Sequence, residues 1–208
     1  MIEVHGKYGE AIVFTQLLEP SAEKQIRTFC DRPQSENSKI RIMPDVHTGK
    51  GCVIGLTMTI TDQVIPNLVG VDIGCGMLTV KLKEKRLNFP ELDSVIRANI
   101  PYGRNVRERL HRSHGRLDIQ KLCCFKKIDT RRALESLGSL GGNHFIEVDT
   151  DGESLYLVIH TGSRNPGLRV AEYYQKIAYK ECGGRTQTEI PYELAYLTGN
   201  AMQEYLYD

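Results

Sequence analysis

The chain has 208 residues, 40% hydrophobic and 25% charged, with a net charge of +1. These values exclude a mostly disordered chain, a collagen-like chain and a disulfide-dense miniprotein. No run of about 18 apolar residues occurs, so no membrane span is expected, and the polar start from Met1 to Glu10 lacks the apolar run of a signal peptide.

In chain order, Ile12 to Leu18 reads as a short strand or buried turn. Ser21, after Pro20, is a candidate N-cap for a helix reaching Cys30. A strand over Lys39 to Met43 stops at Pro44, and Cys52 to Ile60 reads as a β-branched, apolar strand. Met77 to Lys83 alternates apolar and polar, as a half-buried strand does. Pro90 suits the first turn of a helix running to about Asn99, and Thr130 can cap a short helix that Gly138 ends. His144 to Asp149 and Ser154 to His160 read as two strands of a hairpin joined through Asp151-Gly152. Pro166 to Cys182 reads as a helix with Ala171, Tyr174, Ile177 and Ala178 on one face, ended by Gly183-Gly184. Asn200 to Asp208 looks like the start of another helix, with Met202 and Leu206 on one face and no capping residue at its end. The pattern predicts an α+β fold, with mixed or antiparallel sheets and helices packed outside, as a single domain over 1–208.

Charge is unevenly spread. Arg97 to Arg132 holds eleven Lys/Arg against Glu108, Asp118 and Asp129. Such a block is either a solvated face or a surface for phosphate or nucleic acid. The six cysteines show no CxxC pair, which argues against a zinc ribbon or disulfide framework and for a reduced, cytoplasmic protein. Adjacent Cys123 and Cys124 read as packing, and the pair His111 and His114 as surface.

Histidines carry the strongest chemical signal. Three lie in glycine-rich junctions: Pro44-Asp45-Val46-His47-Thr48-Gly49, Gly141-Gly142-Asn143-His144-Phe145 and His160-Thr161-Gly162-Ser163-Arg164. Loops of this kind are where sites tend to be built. A fourth segment, Val69 to Met77, sets Asp72 and Cys75 three apart in a glycine-studded turn. A carboxylate and a thiolate so placed can chelate one ion or bridge two; equally, they can be a buried turn residue and a core thiol. A three-residue loop centred on Gly152 would set His144 directly opposite His160, with Cβ atoms about 5 Å apart. A two-residue Asp-Gly turn would put them on opposite faces. Joint ligation of one metal centre therefore predicts an odd-numbered loop or a bulge. By softness, the set Asp72, Cys75, His144 and His160 favours zinc or iron and admits manganese.

The strings Met43–Gly51, Val69–Met77, Gly141–Glu147 and His160–Arg164, in that order, resemble the RtcB family. Those proteins are GTP- and manganese-dependent RNA ligases that join an RNA 3′-phosphate or 2′,3′-cyclic phosphate to a 5′-hydroxyl in tRNA splicing and RNA repair. The resemblance implies that Asp72, Cys75, His144 and His160 are ligands of two Mn2+ ions, with the Cys75 thiolate bridging them. It implies that Asn143 contacts the GTP phosphate or the RNA end and that Arg164 binds phosphate. Asp45 would orient the nucleophilic histidine, and His47 is a further participant. Arg104, Arg107 and Arg109 become candidates for contacts to the RNA backbone. The implied chemistry transfers GMP from GTP to a histidine, then to the RNA 3′-phosphate, and releases it on attack by the 5′-hydroxyl. The family's guanylylated histidine lies in a C-terminal half that has no counterpart here, so the chain is expected to be the N-terminal portion of such a ligase, incomplete at its C-terminal end. Alone it is expected to bind metal weakly, to lack ligation and to self-associate. An archease-like activator is a further implied partner. The residues leave two other readings open: another metal-dependent phosphoryl-transfer enzyme, or a non-catalytic RNA-binding or repair accessory module.

Overall fold

The computed structural model describes residues 1–186 and 189–208. The fold is α+β, and the chain divides into two compact units. One comprises Met1–Gly70 and Tyr173–Tyr207, the other Val71–Glu172 with Asp208.

The first unit is built on a four-stranded sheet of β1 (Ile2–His5), β2 (Glu10–Val13), β3 (Ile40–His47) and β4 (Ile54–Met58), in that order. Strands β2 and β3 are parallel, and the helix α1 (Pro20–Cys30) lies between them in the chain. The remaining pairs are antiparallel. Helix α1 buries Ala22, Ile26, Phe29 and Cys30 against Val4, Ala11, Val13, Ile40 and Ile42. The helix begins one residue earlier than expected. Pro20, with its fixed φ and missing N–H, occupies the first turn, which makes Glu19 the N-cap and leaves Ser21 inside the helix. Strand β2 ends at Val13 rather than Leu18, because Thr15 and Leu17 turn the chain through a 3.2 Å bond from the Leu17 N–H to the Thr15 hydroxyl. Strand β3 does not stop at Pro44. It continues to His47 through a shift in register between Ile42 and His47, and such a bulge tolerates a residue that cannot donate to the ladder.

The same unit contains β5 (Gln63–Val64), α2 (Pro66–Val69), β9 (Leu197–Thr198) and α6 (Gly199–Tyr207), with β5 and β9 paired. Helix α6 buries Met202 and Tyr205, while Leu206 is exposed. The inward face is thus offset from the one the sequence suggested.

The second unit is built on the sheet β6 (Gly76–Lys81), β8 (Leu155–Thr161), β7 (Phe145–Thr150), with β8 central and antiparallel to both neighbours. It also holds α3 (Phe89–Asn99), α4 (Thr130–Glu135) and the start of α5 (Asn165–Glu181), whose later turns belong to the first unit. Within the later turns Tyr174 and Ala178 are fully buried. The cap of α4 is Asp129, which accepts the Arg132 N–H at 3.0 Å, and Thr130 is the first helical residue. Strand β6 is not half-buried. It is an edge strand exposed along its whole length, including Met77, Leu78 and Val80. Alternation marks the two faces of a strand, but burial needs a covering layer.

The β7–β8 turn is organised by Asp151. Its carboxylate accepts N–H groups from Glu153 at 2.9 Å and Ser154 at 2.7 Å, and the Tyr156 hydroxyl at 2.7 Å. The Tyr156 hydroxyl, followed by the two backbone donors, lowers its pKa from 3.8 to about 2. A depressed carboxyl stabilises the fold above its unfolded pKa and loses that contribution as pH falls toward the folded value. Asp151→Ala is therefore expected to lower the melting temperature at pH 7, with the gap to the parent closing between about pH 4 and pH 2. Melts across that range check this; a gap independent of pH would show that the carboxylate charge is not what holds the turn.

Candidate metal centre

Strand register brings the candidate ligands to one end of the second unit's sheet. His160 on the central strand faces Met77 on β6 and Phe145 on β7. Cys75 immediately precedes β6, so the pleat continues it onto the same face as His160. Its Sγ lies 2.7 Å from His160 Nε2. The Phe145 ring meets the His160 imidazole edge-on at 5.1 Å between centroids, which limits its rotation.

His144 arrives by a different route from the one expected. Thr150 pairs with Leu155, so the hairpin loop has the four residues Asp151–Ser154, and His160 stands opposite Phe145 rather than His144. An odd-numbered loop is absent. His144 instead sits just before β7, in a turn where its N–H reaches the Gly141 carbonyl. Outside the ladder its side chain is not bound to the pleat, and its ring lies 5.3 Å from that of His160. The ligand atoms of Cys75, His144 and His160 all lie within 4.8 Å of one another.

Asp72 completes the constellation through His144. The Gly141 N–H donates to His144 Nδ1 at 2.9 Å. The ring proton of the neutral form is therefore on Nε2, which bonds the Asp72 carboxylate. The His144 side chain is fully buried, and that of Asp72 is 27% exposed. The Cys75 thiol is held above its ordinary pKa, first by the surrounding protein and then by the charge of Asp72 and its hydrogen bond.

The donor set fits a metal ion. Metal–nitrogen bonds of about 2.1 Å and metal–sulfur bonds of about 2.3 Å put donors on one ion no more than about 4.4 Å apart. Small side-chain adjustments would bring Cys75, His144 and His160 into that range. A cation would also take the place of the proton that lies between Cys75 and His160.

Beside this cluster is a cleft of about 380 Å³ lined by Asp72, Arg104, Arg132, Ser139, Asn143 and Arg164, among others. Arg164 has a left-handed backbone, with φ of 60°, a conformation uncommon for a residue with a side chain. Its Nε donates to the Ser139 hydroxyl at 3.2 Å and its Nη2 to the Gly103 carbonyl at 3.0 Å. Nη1 lies where a Cβ on Gly141 would sit, so that glycine admits the guanidinium. Gly162 belongs to the glycine-rich string that carries His160, whereas Ser139 lies two residues before the string that carries His144.

The other candidates divide. Asp45 and His47 are exposed on β3 in the first unit, where His47 Nδ1–H donates to the Asp45 carbonyl at 2.9 Å. Arg107 is a structural staple: its guanidinium donates to the carbonyls of Leu137 at 2.8 Å, Asn99 at 3.0 Å and Gly138 at 3.1 Å. Arg132 similarly holds the Arg104 carbonyl at 2.7 Å. Arg104 and Arg109 are exposed, with no side-chain hydrogen bond among the described residues. Two members of the basic block, Arg107 and Arg132, therefore tie loops together. Cys124 is buried, as packing requires, and Cys123 is exposed.

Among the described residues, no helix is long and apolar enough to cross a membrane. The family described as tRNA-splicing ligase RtcB matches residues 25–123 and 102–208. The chain is similar to the RNA-splicing ligase RtcB of Escherichia coli K12, 34% identical over 182 residues, covering 76% of this chain and 44% of that protein. It is also similar to the tRNA-splicing ligase RtcB of Methanococcus maripaludis, 27% identical, covering 80% of this chain and 46% of that one. The chain thus spans less than half the length of these two relatives. With matches over nearly all of its length, the chain belongs to the RtcB family of tRNA-splicing ligases.

Proposed function

We propose that the chain is the metal-binding part of a cytoplasmic RNA ligase that uses GTP and Mn2+ to join RNA 3′-phosphate or 2′,3′-cyclic phosphate ends to 5′-hydroxyl ends. The observation that carries this reading is the meeting of Cys75, His144 and His160 at one sheet end, with Asp72 bonded to His144. In this reading Asp72, Cys75, His144 and His160 would hold the two Mn2+ ions. Bound there, the ions would stabilise charge on the transferring phosphoryl groups. The thiolate by itself favours softer metals, so manganese rests on family membership.

The protein's own groups supply orientation. Gly141 fixes the His144 ring, so that Nε2 is the atom presented with Asp72. Arg164, tied by Ser139 and Gly103, offers a preorganised cation for a phosphate in the cleft. Asn143, exposed on the same cleft, can donate its amide to a phosphate oxygen of GTP or the RNA end. Asp45 is assigned to orienting the nucleophilic histidine. That nucleophile is assigned to none of the six histidines, because none matches the family's nucleophile motif. An archease-like activator is assigned as a partner, and self-association is assigned to exposed apolar surface such as Met77 and Leu78.

Native mass spectrometry of the chain with Mn2+ and GTP tests the reading. Retained manganese without a covalent GMP adduct is expected, and the same spectra read the oligomeric state. Failure to retain metal would overturn the metal assignment and favour an accessory RNA-binding role. A GMP adduct would place a competent nucleophile within these residues.

A further inference from the structure

The segment between α3 and α4 has no long regular element. It is folded by consecutive tight turns at His114–Arg116, Ile119–Lys121 and Phe125–Lys127. His114 Nδ1–H donates to the His111 carbonyl at 2.9 Å, and the Ser113 N–H donates to His111 Nδ1 at 3.2 Å. With Nδ1 accepting, the neutral His111 ring carries its proton on Nε2, leaving a donor for a ligand.

His111 lines a pocket of about 360 Å³, separate from the cleft described above, together with Ser113, Arg116 and Ser163. Leu117, Leu137 and Pro166 form apolar walls, and none of the described residues lining it is acidic. Arg116 is exposed and its guanidinium has no partner among the described residues, unlike the stapled Arg107 and Arg132. The Ser163 hydroxyl is buried without a hydrogen-bond partner, an arrangement that costs about 1–3 kcal/mol unless something completes it. Ser163 directly precedes Arg164, which lines the neighbouring cleft. The two pockets thus share one loop, Gly162–Asn165, of the second unit.

We propose that this pocket is a second phosphate subsite, holding a backbone phosphate of the RNA strand next to the end being joined. Arg116 supplies the charge and His111 Nε2–H a directional donor, while the apolar walls accept the sugar. The proposal rests on the RNA-ligase reading.

Fluorescence anisotropy with a single-stranded RNA decamer ending in a 3′-phosphate, over a salt series, tests it. Arg116→Gln is expected to weaken binding roughly tenfold at low salt, in line with one lost charged hydrogen bond. The slope of log K against log salt should fall by about 0.7, the value for one phosphate contact on a single strand. Arg116→Lys should restore most of that slope. Arg112→Gln, an exposed neighbour outside the pocket, should leave it unchanged. Manganese retention should be the same in all three variants. An unchanged slope in Arg116→Gln, or an equal drop in Arg112→Gln, overturns the subsite while RNA and metal binding by the parent keep the ligase reading intact. If the parent binds neither RNA nor manganese, the ligase reading itself falls, and the subsite with it.

Discussion

Cys75→Ala is expected to lower manganese retention by more than about a hundredfold while leaving the fold unchanged. The two halves of this expectation have separate causes. Cys75 is exposed, so removing its sulfur opens no core cavity, and the melting temperature of the metal-free protein should match the parent. The thiol nevertheless stands 2.7 Å from His160 Nε2 and within 4.8 Å of the His144 donor. It is the one soft anionic donor of the set. Disturbing the outer partners of a metal ligand already costs ten- to a hundredfold in affinity, so deleting a ligand should exceed that. Metal content after gel filtration, read beside a melt without metal, checks both halves. Retention at the parent level would remove Cys75 from the centre and leave a histidine–carboxylate site.

Several elements were legible because their signals are local. The hairpin around Asp151-Gly152, the helix after Asn88 and the long helix after Arg164 follow from turn residues and periodicity that act within a few positions. Boundaries moved where two local signals competed, as when Pro20 took the first turn and displaced Ser21 from the cap. The approach of His144 to His160 was legible as chemistry but not as geometry. Pairing across a hairpin loop fixes only residues within the ladder, and His144 leaves it through the Gly141 turn. The roles within the basic block depended on long-range partners. No local pattern shows that Arg107 spends its guanidinium on carbonyls as far as 31 positions along the chain.

Gly162→Ala is expected to lower manganese retention roughly ten- to a hundredfold, although the residue offers no ligand atom. Gly162 does not occupy the left-handed region, so alanine fits its backbone, and the effect comes from the added methyl group alone. That carbon would stand 2.6 Å from Asp72 Oδ1 and 2.9 Å from its Cγ, distances real Cβ atoms do not tolerate. The Asp72 side chain has room to move, being 27% exposed, so the clash is relieved by swinging the carboxylate aside. The movement takes it from His144, whose fully buried ring then loses the acceptor for its Nε2 proton. Leaving such a group unpaired costs about 1–3 kcal/mol, so a lower melting temperature should accompany the lost metal. Asp72→Asn separates the two effects. It keeps an acceptor for the His144 proton but removes the charge, so stability should hold while retention falls. If Gly162→Ala instead retains metal at the parent level, the Asp72 carboxylate is not needed at the centre, and the site reduces to Cys75, His144 and His160.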